Sequence, residues 1–237
     1  MKRILTVLTL ICASLLLASS AAKAQESLGG TKYSLFANFG FGFANNIRMA
    51  DRLNGSSDYL EGAWGTPAEK KEPIGYAGFD LEPRIFFEKL VLAPSWGYYN
   101  VSKGERDLTH PNGTTYHEEL DLKMTGLKLS LYYRIGVSET SFVLLGGGLG
   151  YYRGTMTEKY GYNGNLESNS STQSTIGWHS QIEYDKKLGP IYLNAGLMSR
   201  FVEIYDFKFP NRSNTGRDKI SGGLTGFYIY FGAGYIF

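Results

Sequence analysis

The chain has 237 residues, with 24 Lys and Arg against 22 Asp and Glu, and a single cysteine. Lys2 and Arg3, an apolar stretch over 4–17 and the Ala22-Lys23-Ala24 cleavage pattern have the layout of a secretory signal peptide, residues 1–24. Lys23 and Cys12 leave with it, so the remaining 25–237 carries no thiol and a net charge of about −1, which excludes disulfides, thiolate metal sites, cysteine nucleophiles and a polybasic nucleic-acid footprint.

Beyond residue 24 no run approaches the ~18 consecutive apolar residues of a membrane helix. Apolar and polar residues alternate with period two instead, the signature of half-buried strands. The first such segment sets Tyr33, Leu35, Ala37, Phe39, Phe41 and Phe43 against Ser34, Asn38, Gly40 and Gly42. The second sets Ala77, Phe79, Leu81, Pro83 and Ile85 against Asp80, Glu82 and Arg84. Next come Leu90, Leu92, Pro94, Trp96 and Tyr98 against Ala93, Ser95 and Gly97, then Leu127, Leu129, Leu131 and Tyr133 against Lys128, Ser130, Tyr132 and Arg134. A fifth, glycine-rich segment alternates Val143, Leu145, Leu149 and Tyr151 with Gly146, Gly148 and Gly150. In the sixth, Ile176, Trp178, Ile182 and Tyr184 face away from His179, Gln181, Glu183 and Asp185. Ile191, Leu193, Ala195, Leu197 and Phe201 oppose Asn194, Met198 and Arg200, and a last segment sets Phe227, Ile229, Phe231, Ala233, Tyr235 and Phe237 against Tyr228, Tyr230, Gly232 and Gly234.

These eight strands are separated by long gaps at 44–73, 102–117, 157–173 and 204–222 and by short ones at 87–89, 135–140 and 186–190. Four long loops on one rim and three tight turns on the other is the asymmetry of a transmembrane barrel. The fold class is therefore all-β, a closed antiparallel eight-stranded transmembrane β-barrel. An interior of eight strands is just wide enough to be filled by side chains. The large aromatic face of every strand overfills it and so points into lipid, while closure satisfies the backbone. Tyr33, Phe87, Tyr133, Tyr184 and Phe237 at one level and Phe43, Tyr98, Tyr151 and Trp178 at the other form two interfacial girdles. Pro83 and Pro94 fall equally far from the 87–89 turn, which predicts a longer turn or a bulge there.

The last strand, over 223–237, ends in a carboxy-terminal Phe preceded by aromatics at alternate positions. That pattern resembles the C-terminal signal of outer-membrane barrels, and the chain from 32 onwards resembles the small OmpA-, OmpX- and OmpW-like porin-family barrels. The resemblance implies an outer-membrane location, contact with outer-membrane lipid, and Phe237 as the signal read by barrel-assembly machinery.

Inward-facing polar residues make the candidate site: Asp80, Glu82, Arg84, Lys128, Arg134, His179, Gln181, Glu183, Asp185 and Arg200, read as a mutually satisfied structural network. His179 and Ser180 are adjacent and so point to opposite faces, which disfavours a nucleophile pair. No catalytic, cofactor or metal site is expected; His110 and His117 lack metal-ligand spacing. Asn112-Gly113-Thr114 reads as a turn. The expected role is structural or surface interaction through long loops whose ligand the sequence does not name. A narrow porin-like channel is the alternative, and a lipid-modifying enzyme the second alternative.

Overall fold

Alternating greasy and charged side chains cannot be buried on both faces of one sheet, and the backbone resolves this by closing on itself. In the computed structural model, which describes residues 32–44, 61–67, 69–71, 75–101, 103–209 and 219–237, there are twelve strands. They are β1 (Lys32–Ala44), β2 (Glu69–Lys71), β3 (Gly75–Phe87), β4 (Leu90–Val101), β5 (Gly104–Thr109), β6 (Thr115–Ser138), β7 (Ser141–Tyr162), β8 (Asn165–Leu188), β9 (Ile191–Phe201), β10 (Glu203–Lys208), β11 (Lys219–Gly223) and β12 (Gly226–Ile236). The proposed signal peptide, the Asn54-Gly55-Ser56-Ser57 segment and the Asn211-Arg212-Ser213-Asn214 segment lie outside the described residues.

Eight of the strands form a closed antiparallel ring in the order β1-β3-β4-β6-β7-β8-β9-β12 and back to β1. Paired residues traced once around it run Tyr33, Ile85, Leu92, Leu131, Gly147, Ser180, Ser199, Phe227 and return at Phe43. That ten-residue stagger, from Tyr33 to Phe43, tilts the strands by roughly 35–45°. The outer wall is apolar: Phe41 is 73% exposed, Ile176 74% and Leu127 61%. No helix among the described residues is long and apolar enough to cross a membrane.

The short turns are Glu88-Lys89, Glu139-Thr140 and Gly189-Pro190. The expected bulge near the prolines is absent. β3 and β4 keep one register on both sides of them, Leu81 opposite Trp96 and Ile85 opposite Leu92, with pairing interrupted only between. That register sets Pro83 against Pro94. Each lacks an N–H, so both ladder bonds of that pair are missing together and nothing is left for a bulge to rescue. On their other sides the two strands stay paired, Pro83 with Leu35 and Pro94 with Leu129.

The expected long loops at 157–173 and 102–117 are largely strand, and the one at 204–222 contains two strands among its described residues. The gap at 157–173 is a hairpin closed by Asn163 (φ 50°) and Gly164 (φ 81°), the two left-handed residues of a type I′ turn. At 102–117, β5 pairs with β6 and adds β2 at its edge. Within 204–222, β10 and β11 form a separate two-stranded sheet. The sequence hid these strands because their two faces are similarly polar, as in Glu158 to Thr172, so alternation fades although pairing continues.

The barrel interior has three layers. Near the short turns Phe36, Phe86, Val91, Phe142, Leu144 and Tyr192 make an apolar floor. A polar layer follows. Beyond it lies a larger apolar cluster that includes Leu122, Met124, Met156, Val202 and Leu224. Ile204, Phe207 and Ile220 from the β10–β11 hairpin belong to that cluster, so this hairpin caps the mouth instead of standing away from it.

Candidate functional site

Side chains at every second position of β3, β6, β8 and β9 meet at the same depth inside the ring, and there they sort into two ion-pair groups. In the first, the carboxylate of Asp80 accepts hydrogen bonds from Lys128 Nζ at 2.7 Å, Tyr99 Oη at 2.5 Å and Arg200 Nη2 at 3.3 Å. The guanidinium of Arg200 lies 4.3 Å from the Tyr99 ring centre and 4.2 Å from that of Tyr228, a cation between two aromatic faces. In the second group, Arg84 is bidentate to Glu183 (Nη1 to Oε1 2.5 Å, Nη2 to Oε2 2.9 Å). It also donates to Glu82 at 2.6 Å and to Asp185 at 3.2 Å, and its guanidinium sits 3.8 Å from the Phe36 ring centre. Tyr230 donates to Glu183 at 2.6 Å and receives a bond from Gln181 at 3.0 Å.

Side chains of Arg84, Arg200, Glu183 and Asp185 are fully shielded from solvent. Four carboxyl side chains here, Asp80, Glu82, Glu183 and Asp185, face three cations, Arg84, Lys128 and Arg200. His179 is buried with Nε2 2.8 Å from Ser130 Oγ, while Ser180 is exposed on the opposite face. Arg134 stands apart from the carboxylates. It is half-buried at the floor, its guanidinium 4.3 Å from the Phe142 ring centre and 6.0 Å from that of Phe86. Its parity puts it inward, but it sits five residues from the β6–β7 turn, below the carboxylate level. At the carboxy terminus, the Phe237 N–H donates to the Tyr33 carbonyl at 3.0 Å and its ring packs edge-on against Tyr235 at 5.4 Å.

Several members of the network were not singled out from sequence. Tyr99, Tyr132, Tyr230, Ser130, Asn38 and Asn194 share the inward parity, and that parity was the available signal. Two glycines make room for them. A Cβ on Gly97 would collide with both Tyr99 Oη and Asp80 Oδ1, and one on Gly232 with the amide oxygens of Asn38 and Asn194, whose side chains are joined by the Asn194 Nδ2 donating to Asn38 Oδ1 at 2.9 Å. The space between the two ion-pair groups, lined by Asn38, Asp80, Glu82, Lys128, Gln181, Met198 and Tyr230, is too narrow for a water molecule.

Outside the lumen, β6, β7 and β8 run for 24, 22 and 24 residues. A membrane crossing takes about 9–11. Their far halves form a sheet that stands beyond the belt. Its outward face carries cross-strand hydroxyl pairs, Thr155 with Thr172 at 3.0 Å and Thr157 with Ser170 at 3.1 Å. It also carries Glu119 between Lys103 (3.0 Å) and Lys159 (3.1 Å). At the tip Trp64 packs edge-on to His110 at 5.2 Å and lies 6.3 Å from Tyr162. The Asn112-Gly113-Thr114 turn is pinned by the Thr114 N–H on Asn112 Oδ1 at 2.9 Å.

No protein-family model matches the sequence, and no curated protein matches it. Solved structures do. The outer membrane protein OprG from Pseudomonas aeruginosa superposes with a TM-score of 0.51 at 13% identity, covering 88% of this chain and 96% of that one. Neisserial surface protein A gives 0.43 at 12% identity over 87% and 98%, and Ail, the attachment invasion locus protein of Yersinia pestis, gives 0.40 at 14% over 87% and 99%. With its apolar outer wall and closed ring of eight strands, the chain has the fold of the small outer-membrane β-barrels, and its place is the outer membrane.

Proposed function

We propose that this barrel is a surface-interaction protein whose working part is the sheet formed by β6, β7 and β8 beyond the membrane. The observation that carries this reading is the length of those three strands: each exceeds a crossing by about twofold and stays paired to its end, Tyr116 with Tyr162 and Tyr162 with Asn165. By the loop asymmetry of such barrels this end faces the exterior. A sheet that continues so far holds its hairpin tips away from the lipid on a rigid support, which suits contact with an external partner.

The filled interior weighs against a porin-like channel, because the polar layer is bonded across its width and the β10–β11 hairpin packs into the mouth above it. For the lipid-modifying alternative, the one serine hydroxyl against an imidazole in the lumen among the described residues is that of Ser130 at His179, and both are buried away from the membrane face.

The reading is tested by deleting 157–170, whose end residues are paired, and closing the strands with Asn-Gly. The shortened protein should still fold, seen as heat-modifiable migration on a denaturing gel. Bacteria displaying it should lose adhesion to host-cell or matrix surfaces that the full-length protein supports. Unchanged adhesion, or steady single-channel currents from the full-length protein, would rule the proposal out.

A further inference from the structure

We propose that the space between the two ion-pair groups binds a single dehydrated sodium ion, held by the amide oxygens of Asn38, Asn194 and Gln181 beside the carboxyl of Glu82. Five of the side chains lining this space carry oxygen: Asn38, Asp80, Glu82, Gln181 and Tyr230. Lys128 also lines it, with its ammonium turned to Asp80 at 2.7 Å.

Several oxygens around the space have no donor among the described residues. The amide nitrogen of Gln181 donates to Tyr230 Oη at 3.0 Å, but its Oε1 meets nothing. Asn194 gives its Nδ2 to Asn38 and leaves its own Oδ1 unmet. Gln181 is 6% exposed and Asn194 5%, so bulk water satisfies neither. The amide oxygens of Asn38 and Asn194 stand together over the bare Cα of Gly232, whose strand lies between theirs. Directly across the β8–β9 pair from Asn194 is Asp185, with one carboxyl oxygen on Arg84 and the other unmet.

An amide oxygen only accepts, so it needs a donor or a cation. Water is the usual donor for such groups, and the space is too narrow for it. A small hard cation comes closer to oxygen than water does. Sodium has the size of calcium, which approaches oxygen to about 2.3–2.6 Å, against about 2.7–2.8 Å between hydrogen-bonded oxygens. Potassium is about as large as a water molecule and is excluded on the same ground. Charge selects the valence. Four carboxyl groups face three cations in this layer, so one further positive charge makes it neutral, whereas a divalent ion overshoots. A proton on one carboxyl balances the charge as well, but it serves one oxygen and leaves the amides unmet. The inference is independent of the surface-interaction reading above.

The test is refolding of the mature protein from urea into zwitterionic lipid vesicles, in sodium, potassium or choline chloride at equal ionic strength. Heat-modifiable migration reports the folded fraction. Above the dissociation constant, each tenfold rise in sodium should multiply the folded-to-unfolded ratio by about ten, and potassium and choline should leave it unchanged. Q181L/N194L removes two of the oxygens, Asp185→Asn removes the fourth carboxyl, and both should lose the sodium dependence. Asn100→Ala, at an exposed position on β4, should keep it. Native mass spectrometry of the folded protein should show one retained sodium per chain. Equal folded fractions in sodium and potassium would overturn the proposal, and so would full sodium dependence in Q181L/N194L. If a variant fails to refold, the wild-type ion series decides alone.

Discussion

Arg84 shows what a single side chain does in this lumen. Its five N–H donors reach three carboxylates on β3 and β8, and its flat face covers Phe36. Replacing it with Met keeps most of the volume but strands Glu82, Glu183 and Asp185 in a solvent-free layer. The expected cost is about 3–5 kcal/mol, read as a lower urea midpoint for refolding into lipid vesicles. Glu119 is a milder case outside the membrane. Partial burial works against its ionised form, but hydrogen bonds and charge from Lys103 and Lys159 outweigh that and hold its carboxyl below the ordinary 4.5. A carboxyl depressed in the folded state stabilises above its unfolded value, and that contribution is lost as pH falls through the depressed value. Amide protection along 117–121, corrected for the intrinsic pH dependence of exchange, should therefore fall below about pH 4.5 in the wild type. In Glu119→Gln that acid-side step should be absent. An identical pH profile in the two would refute the assignment.

Among the elements, the β3–β4 seam and the long hairpins depart furthest from an ideal barrel. Pro83 and Pro94 concentrate two missing ladder bonds at one point of one seam, while every other seam of the ring keeps its pairing through the membrane. The double substitution P83V/P94V supplies both N–H groups in an unchanged register and should stabilise the barrel by about 1–3 kcal/mol. Each single valine brings back only one donor and should give less. Vesicle-refolding titrations of the three variants check the order. The β7–β8 hairpin illustrates why loop length misleads. Its polar residues on both faces erase the alternation that marks a strand, yet the Asn163-Gly164 turn, visible in the sequence, sets the register of the whole extension.

At the scale of the molecule the interior is closed twice, by the ion-pair layer and by the β10–β11 cap. Opening only the cap should not open the barrel. F207S/I220S is expected to loosen the mouth, seen as faster exchange of the 219–223 amides, while planar bilayers stay electrically silent. Conductance that appears only in this variant would mean that the cap alone holds the lumen shut.

Strand parity and the short-turn positions were legible from the chain because each is local: a side chain two residues on returns to the same face whatever the tertiary context. That one rule separated lumen from lipid and placed Asp80, Glu82, Arg84, Lys128, Glu183, Asp185 and Arg200 on a common inner surface. Which of them pair depended on the stagger of the closed ring, since a ten-residue shear decides what lies across the lumen. It brings Arg84 to Glu183 and Asp80 to Lys128, and it leaves Arg134 at the floor over Phe142. The extension of β6, β7 and β8 and the inward fold of the cap were likewise settled by pairing between distant segments, which the composition of no single segment encodes.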